Sequence, residues 1–273
     1  MSIISRLMGR MGPKDDAEGK VGKEPAMSRA AATPGQHTVS SFDADLEVLA
    51  GLVADMGTRA GRALGEATRA LVDRNAQLAQ QVIASDRSID LLQHEIEEKA
   101  VATLARRQPM AVDLREIVST MRVASDLERI GDLAKNVAKR VIAIGEQPAP
   151  VGLAADLSSL SDRVGRQMVA VLDAYARRDD AAALEVWKAD GAIDGVFTSL
   201  FRELLTYMME DPRSIGFCTH LLFCAKNLER VGDHATNIAE TAHYVITGEI
   251  LALERPKADD TAGIEPCLRP PQT

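Results

Sequence analysis

The sequence predicts an all-α protein: two tandem three-helix bundles related by an internal repeat, with flexible tails at both ends. Three observations predict it. Aromatic residues make up only 3% of the 273 residues while hydrophobic residues reach 46%, so the core must be Ala, Leu, Val, Ile and Met, a mixture that favours helix over sheet. Val123, Leu127, Ile130, Ala134, Val137, Val141 and Ile144 step by four and three residues alternately, the seam of a helical bundle. Finally, DLERIGDLAKN (Asp126 to Asn136) returns 101 residues later as NLERVGDHATN (Asn227 to Asn237).

Residues 1–36 read as a flexible extension broken by Pro13, Pro25 and Pro34. Its start carries Ile3, Ile4, Leu7, Met8 and Met11 at helical spacing beside Arg6 and Arg10, the pattern of a short membrane-touching helix; the prolines and glycines that follow favour a disordered tail. Residues 37–147 form the first bundle, with breaks near Asn75 and at Pro109. GEQPAPVG, Gly145 to Gly152, is the linker. Residues 148–252 form the second bundle, with breaks around Asp179 and Pro212, and residues 253–273 a proline-rich second tail. Most segments run for about 30 residues, hence roughly 45 Å, and short loops make neighbours antiparallel. In the sixth segment Val231, Ala235, Ile238, Ala242 and Val245 repeat the seam of the third.

Aligning Asp126–Arg140 with Asn227–Thr241 gives eight identities in fifteen. The match extends upstream: Ile89-Asp90 answers Ile193-Asp194, and Pro109 answers Pro212. Each half is therefore one copy of a three-helix unit.

Composition excludes several functions. A formal charge of -8 and few aromatics leave no footprint for nucleic acid. Three cysteines, Cys218, Cys224 and Cys267, without a CxxC pair, signal neither a disulfide framework nor a zinc knuckle, and fit a reducing cytoplasm. No apolar run approaches the roughly 20 residues that span a bilayer.

The repeat's polar residues match better than its apolar ones. Glu128, Asp132 and Asn136 are spaced i, i+4, i+8, and Glu229, Asp233 and Asn237 repeat this; Glu240, eleven residues beyond Glu229, joins the second ridge. Acids one turn apart repel by a few tenths of a kcal/mol on an exposed helix, and a divalent cation reverses that sign, because carboxylate and amide oxygens are its preferred ligands. Two readings follow from spacing alone: solvated helix faces, with Arg129 and Arg230 at hand to neutralise acids, or a pair of cation-binding ridges. Gly131 and Gly232 each precede the second acid. An interior helix glycine costs about 1 kcal/mol relative to alanine, so something approaches the backbone there, a neighbouring helix or a metal cluster. His234 lies about 100° off the ridge. Glu240-x-x-His243 is the E-x-x-H of the body; a di-iron carboxylate bundle uses two, and the first half reads KRVI there.

Further candidates sit at helix ends. Arg106, Arg107 and Arg115 flank the Pro109 hairpin, where the arginines either complement a helix C-terminus, with Pro109 starting the next helix, or form a docking surface for an acidic partner. Tyr175 and Arg177 end the fourth helix, as partner contacts or as a helix end with a half-buried ring. Trp187, the single tryptophan, reads as core.

DLERIGDLAKNVAKR and NLERVGDHATNIAE resemble the twin motifs of the PhoU family of bacterial phosphate-signalling accessory proteins. HTVSSFDADLEVL, LARRQPMAVDLRE, DAYARRDDAAALEVW and LTYMMEDPRSIGFCTHLLFCAKNLERVGD are similar to family sequences in the same order; the extension before His37 departs from the shorter family pattern. The resemblance implies two three-helix bundles, and divalent or trivalent metal ions (Fe, Zn, Mn or Mg) on E-x-x-x-D motifs that here are Glu128–Asp132 and Glu229–Asp233. It implies a non-enzymatic, cytoplasmic, dimeric adaptor. Such a protein links the ATPase subunit of the phosphate ABC transporter to a sensor histidine kinase, meets the membrane through those partners, and represses phosphate uptake and the starvation regulon. The rival is a carboxylate-rich bundle acting as a metal-binding enzyme or metal store.

Overall fold

A computed structural model describes residues 34–145 and 153–251. The expected second tail, 253–273, lies outside the described residues, as do residues 1–33 of the first, most of the linker and Cys267; residues 34–36 of the first are helical. Residues 39–273 make one unit and residues 1–38 another, of which only Pro34–Thr38, in helix, are described.

The elements are α1 (Pro34–Asp73), α2 (Ala76–Ser85), α3 (Arg87–Arg107), α4 (Val112–Ile144), α5 (Leu153–Arg177), α6 (Asp180–Lys188), α7 (Asp190–Glu210), a 3-10 turn (Pro212–Ser214) and α8 (Ile215–Thr247). The described residues contain no strand. Among the described residues the breaks near Asn75, Pro109, Asp179 and Pro212 fall where expected, with two additions. The second and fifth rods are each interrupted, at Asp86 and at Ala189, which the helical periodicity did not disclose.

The corners show how alike the halves are. Asn75 caps α2 by accepting from the Leu78 amide at 2.9 Å, and Asp179 caps α6 by accepting from the Ala182 amide at 3.0 Å. The residue before each cap, Arg74 or Arg178, is left-handed, at φ 51° and 53°. The hairpins differ. Pro212 opens the turn leading into α8, whereas Pro109 does not start a helix: α3 ends at Arg107, Gln108 and Ala111 take positive φ, and α4 starts at Val112.

Both seams read from the sequence are buried throughout. In α1, Leu49, Val53, Met56, Ala60, Ala63, Ala67 and Ala70 are buried at the same spacing. Each fully buried Leu or Ile contributes about 1.5–3 kcal/mol relative to exposure. Trp187 is core, as expected.

The two repeats lie side by side and share that core. Helices α4 and α8 pack antiparallel: His234 meets Asp126, Arg140 meets His220, and the Arg115 guanidinium stacks 5.7 Å over the Tyr244 ring. Helices α1 and α5 do the same, with Gly57 facing Leu172, Gly61 facing Met168, and the Ser161 hydroxyl donating to Thr68 Oγ1 at 2.8 Å. A β-carbon on Gly57 would lie 2.9 Å from Leu172 Cδ1, so its absence permits the close crossing. Cys218 and Cys224 are free and buried, and burial pushes the Cys224 thiol up to about 12. Among the described residues no helix is long and apolar enough to cross a membrane.

Candidate functional site

Each motif ridge faces the interruption in the rod beside it, so each half carries one acidic cluster. In the first, Gly131 on α4 receives Ile89 of α3. That close approach puts Asp86, at the break, and Asp90, one turn on, beside Glu128 and Asp132. The Lys135 ammonium reaches into the group, 2.5 Å from Asp86 Oδ2 and 3.1 Å from Asp132 Oδ1. The Asp86 hydrogen bond above all, with Asp132, holds Lys135 well above the usual lysine range. The exposed Arg129 lies 3.5 Å from Glu128 Oε2 and 3.8 Å from Asp132 Oδ2. Burial, then the Asp132 carboxylate, raises the Glu128 pKa; burial, then Asp86, raises that of Asp90.

The second cluster has the same frame and different contents. Gly232 on α8 receives Ile193 of α7, and Asp190, Asp194 and Glu229 are all buried. Glu229 Oε1 accepts from the Lys226 ammonium at 2.9 Å, whereas Glu229 Oε2 is buried without a hydrogen-bond partner. Gln167 enters from α5. Its amide nitrogen donates to Thr236 Oγ1 at 3.2 Å, and the Thr236 hydroxyl lies 2.9 Å from Asp190 Oδ1 as donor. The Gln167 carbonyl oxygen is buried, unpartnered, and 3.3 Å from where a Gly232 β-carbon would be. Burial first, with Asp233 and Asp194 adding to it against Lys226, raises the Glu229 pKa.

Glu128 and Asp132 thus meet in one cluster, and Glu229 and Asp233 belong to the other. The remaining ridge candidates lie elsewhere. Asn136 is exposed. Asn237 donates to Asp126 Oδ1 at 3.3 Å across the α4–α8 contact, beside His234. Glu240 accepts from the Trp187 indole at 2.9 Å, and His243 pairs with Asp180 at 2.6 Å, so that Glu and His serve separate contacts.

The helix-end candidates all make contacts within the chain. Arg106 and Arg107 both pair with Asp45 of α1, at 3.6 and 3.3 Å. Arg115 covers the C-terminus of α8, where Gly248, at φ 82°, leaves room for its guanidinium. The Tyr175 hydroxyl sits 3.4 Å from Thr120 Oγ1, and Arg177 pairs with Asp173 at 2.6 Å.

Asp86, Asp90, Asp190, Asp194 and Gln167 were missed as site residues. A signal for the four acids exists: DRSID and DGAID, Asp86–Asp90 and Asp190–Asp194, are a second duplicated acid pair at i, i+4. Gln167 carries no such signal, since the first half has Ala63 in its place.

Among the described residues, no three His, Cys, Asp or Glu side chains are grouped to hold a metal ion. At the second cluster two oxygens, Glu229 Oε2 and Gln167 Oε1, are buried without a hydrogen-bond partner. At the first cluster the Lys135 ammonium already supplies positive charge.

The sequence matches the model of the PhoU domain twice, over residues 53–141 and 157–242. It is 52% identical over 226 residues to the phosphate-specific transport system accessory protein PhoU homolog of Rhizobium meliloti (strain 1021), covering 83% of this chain and 95% of that protein. The fold superposes on the crystal structure of PhoU from Pseudomonas aeruginosa with a TM-score of 0.74 at 39% identity, over 76% of this chain and all of that one. For the phosphate transport system regulatory protein PhoU from Streptococcus pneumoniae the TM-score is 0.72 at 30% identity, over 78% of this chain and all of that one. A duplicated domain, a shared fold and this level of identity lead to one conclusion: the chain belongs to the PhoU family.

Proposed function

We propose that the chain is an accessory regulator of phosphate transport and acts as a non-enzymatic adaptor. Its relatives are named as accessory or regulatory proteins of the phosphate-specific transport system, which supports the coarse reading. The finer reading is a negative regulator that contacts the ATPase subunit of the phosphate ABC transporter and a sensor histidine kinase. It restrains uptake and the starvation regulon when phosphate is plentiful. Such an adaptor works by binding one conformation of each partner better than the other, since equal affinity shifts nothing. The observation that carries the reading is the family domain matched in both halves, with the two motif helices packed against each other.

On this reading the protein is a cytoplasmic homodimer that meets the membrane through its partners. The acidic ridges hold metal ions: Glu229 and Asp233, with Asp190, Asp194 and Gln167, would hold one at the second cluster, and Glu128 and Asp132, with Asp86 and Asp90, frame the first. A bound ion would neutralise mutually repelling carboxylates and brace the motif helix against the interrupted rod. The Glu240–His243 contacts give no support to a di-iron enzyme. Deleting the gene should leave starvation genes active in high phosphate, and capture of the tagged protein from cells at high and low phosphate should recover the ATPase and the kinase. Normal repression in the deletion strain refutes the proposal.

A further inference from the structure

We infer that residues 252–273 fold back onto the first turns of α4, where Glu254, Asp259 and Asp260 pair with the guanidiniums of Arg115 and Arg122. The ring of Tyr244 on α8 holds both: Arg115 lies 5.7 Å and Arg122 5.9 Å from its centroid. A ring face meets a guanidinium's charge only in part and leaves its in-plane N–H donors for a carboxylate. Among the described residues neither arginine pairs with one, and Arg115 Nε is buried without an acceptor. Two acids on the same helix are engaged elsewhere. Glu116 pairs with Arg178, and Asp126, one turn beyond Arg122, accepts from Asn237 and meets His234. Arg106 and Arg107, at the end of α3, both have Asp45. In a chain of formal charge -8, two guanidiniums that share one ring and lack a carboxylate stand out.

The segment leaves the bundle beside them. Gly248, at φ 82°, ends α8 beneath the Arg115 guanidinium, and Leu251 packs against the core. The chain is thus already turned onto the body where residue 252 begins. Asp259 is eight residues beyond Leu251, a reach of up to about 28 Å, and Arg122 lies two turns, about 10 Å, along α4 from Arg115. Between Lys257 and Arg269 the segment carries Asp259, Asp260 and Glu265 and no base. It also carries Leu253, Ile264 and Leu268, and apolar side chains near the two arginines are bare: Met110 is 81% and Ile250 82% exposed. Charge and apolar surface therefore match together. A docked segment covers Arg115 and Arg122, so an acidic partner has to displace it, and the contact is autoinhibitory toward that face.

The test labels Cys267 of the full chain with a maleimide fluorophore and follows its anisotropy. Cys218 and Cys224 are buried, and Cys267→Ser, which should take up no dye, controls for them. Wild-type anisotropy should be high and should fall at about 0.5 M NaCl. Arg122→Glu should lower the docked-to-free ratio roughly fivefold, as should Asp259→Lys with Asp260→Lys, and the three together should restore it. That rescue would not occur if Arg122 served only the stability of the bundle. Should Arg122→Glu fail to fold, the Asp259→Lys, Asp260→Lys chain, altered outside the described helices, decides by itself. Low anisotropy in the wild type, unmoved by any substitution, overturns the proposal and leaves the face open to a separate acidic protein. High anisotropy that charge reversal leaves unchanged overturns it too. Anisotropy that rises with protein concentration assigns the face to the segment of a second copy and overturns docking within one chain.

Discussion

Ile89 Cδ1 lies 2.9 Å from the position that a β-carbon on Gly131 would occupy, and Ile193 makes the equivalent approach to Gly232 at 3.1 Å. The helix glycines of the duplicated motif are thus explained by a neighbouring helix. Each lets an interrupted rod close onto the motif helix and carry its acids to the ridge.

That contact predicts the effect of adding a methyl group. Gly131→Ala gains up to about 1 kcal/mol of helix propensity but overpacks a fully buried isoleucine, at about 1–3 kcal/mol. Net destabilisation of about 1 kcal/mol is expected in urea unfolding. Ile89→Val, which removes the clashing carbon, should cost less in the Gly131→Ala background than alone. A Gly131→Ala protein more stable than wild type would show that Ile89 moves aside freely.

Asp126 joins the two repeats through His234 at 2.9 Å and Asn237 at 3.3 Å. Asp126→Ala leaves both half-buried side chains without their acceptor and should cost about 1–3 kcal/mol. Asn237→Ala should cost less, because His234 keeps its contact. Denaturant midpoints of the two variants measure this, and equal losses would argue against Asp126 as the shared centre.

The pH dependence of the metal-free protein follows from Glu229. Its folded-state pKa is raised, first by burial and then by Asp233 and Asp194. The folded protein therefore binds this proton more tightly than the unfolded chain does. Stability from the group is full below the ordinary carboxylate pKa and is lost as pH rises through the folded value. In a chelator, Glu229→Gln should lack that loss and unfold at a higher temperature than wild type near neutral pH, with the gap closing in acid. A gap that widens in acid would reverse the sign. Glu128→Gln should behave alike, since burial and then Asp132 raise the Glu128 pKa too.

Trp187 is the chain's single tryptophan and donates to Glu240 at 2.9 Å. Glu240→Gln keeps an acceptor and should preserve stability and native emission. Glu240→Ala removes it, which should cost about 1 kcal/mol and alter the native emission spectrum. Unchanged emission in Glu240→Ala would mean that the indole does not depend on this partner.

Much was legible before any coordinates. Helix content, both seams, the main breaks and the internal repeat follow from local periodicity and punctuation, which a chain carries in its order of residues. The second acid pair was legible too, in DRSID and DGAID, but Asp86 and Ala189 interrupt helices without a proline to announce it. Asn237 and Glu240 share the ridge spacing of Glu229 and Asp233, yet one turns to Asp126 and the other to Trp187. Helical spacing assigns a face, and what stands opposite that face decides a side chain's partner.

The sequence by itself determined that two alike helical units exist and that each bears an acidic motif around a glycine. Only the tertiary structure decided that α4 and α8 cross antiparallel, that the glycines are seats for Ile89 and Ile193, and that Lys135 fills one cluster while Gln167 enters the other. The physical reason is range. Propensity and periodicity act over a few residues along the chain, whereas the charge balance of a buried cluster is set by side chains that arrive from helices up to about a hundred residues away in the sequence.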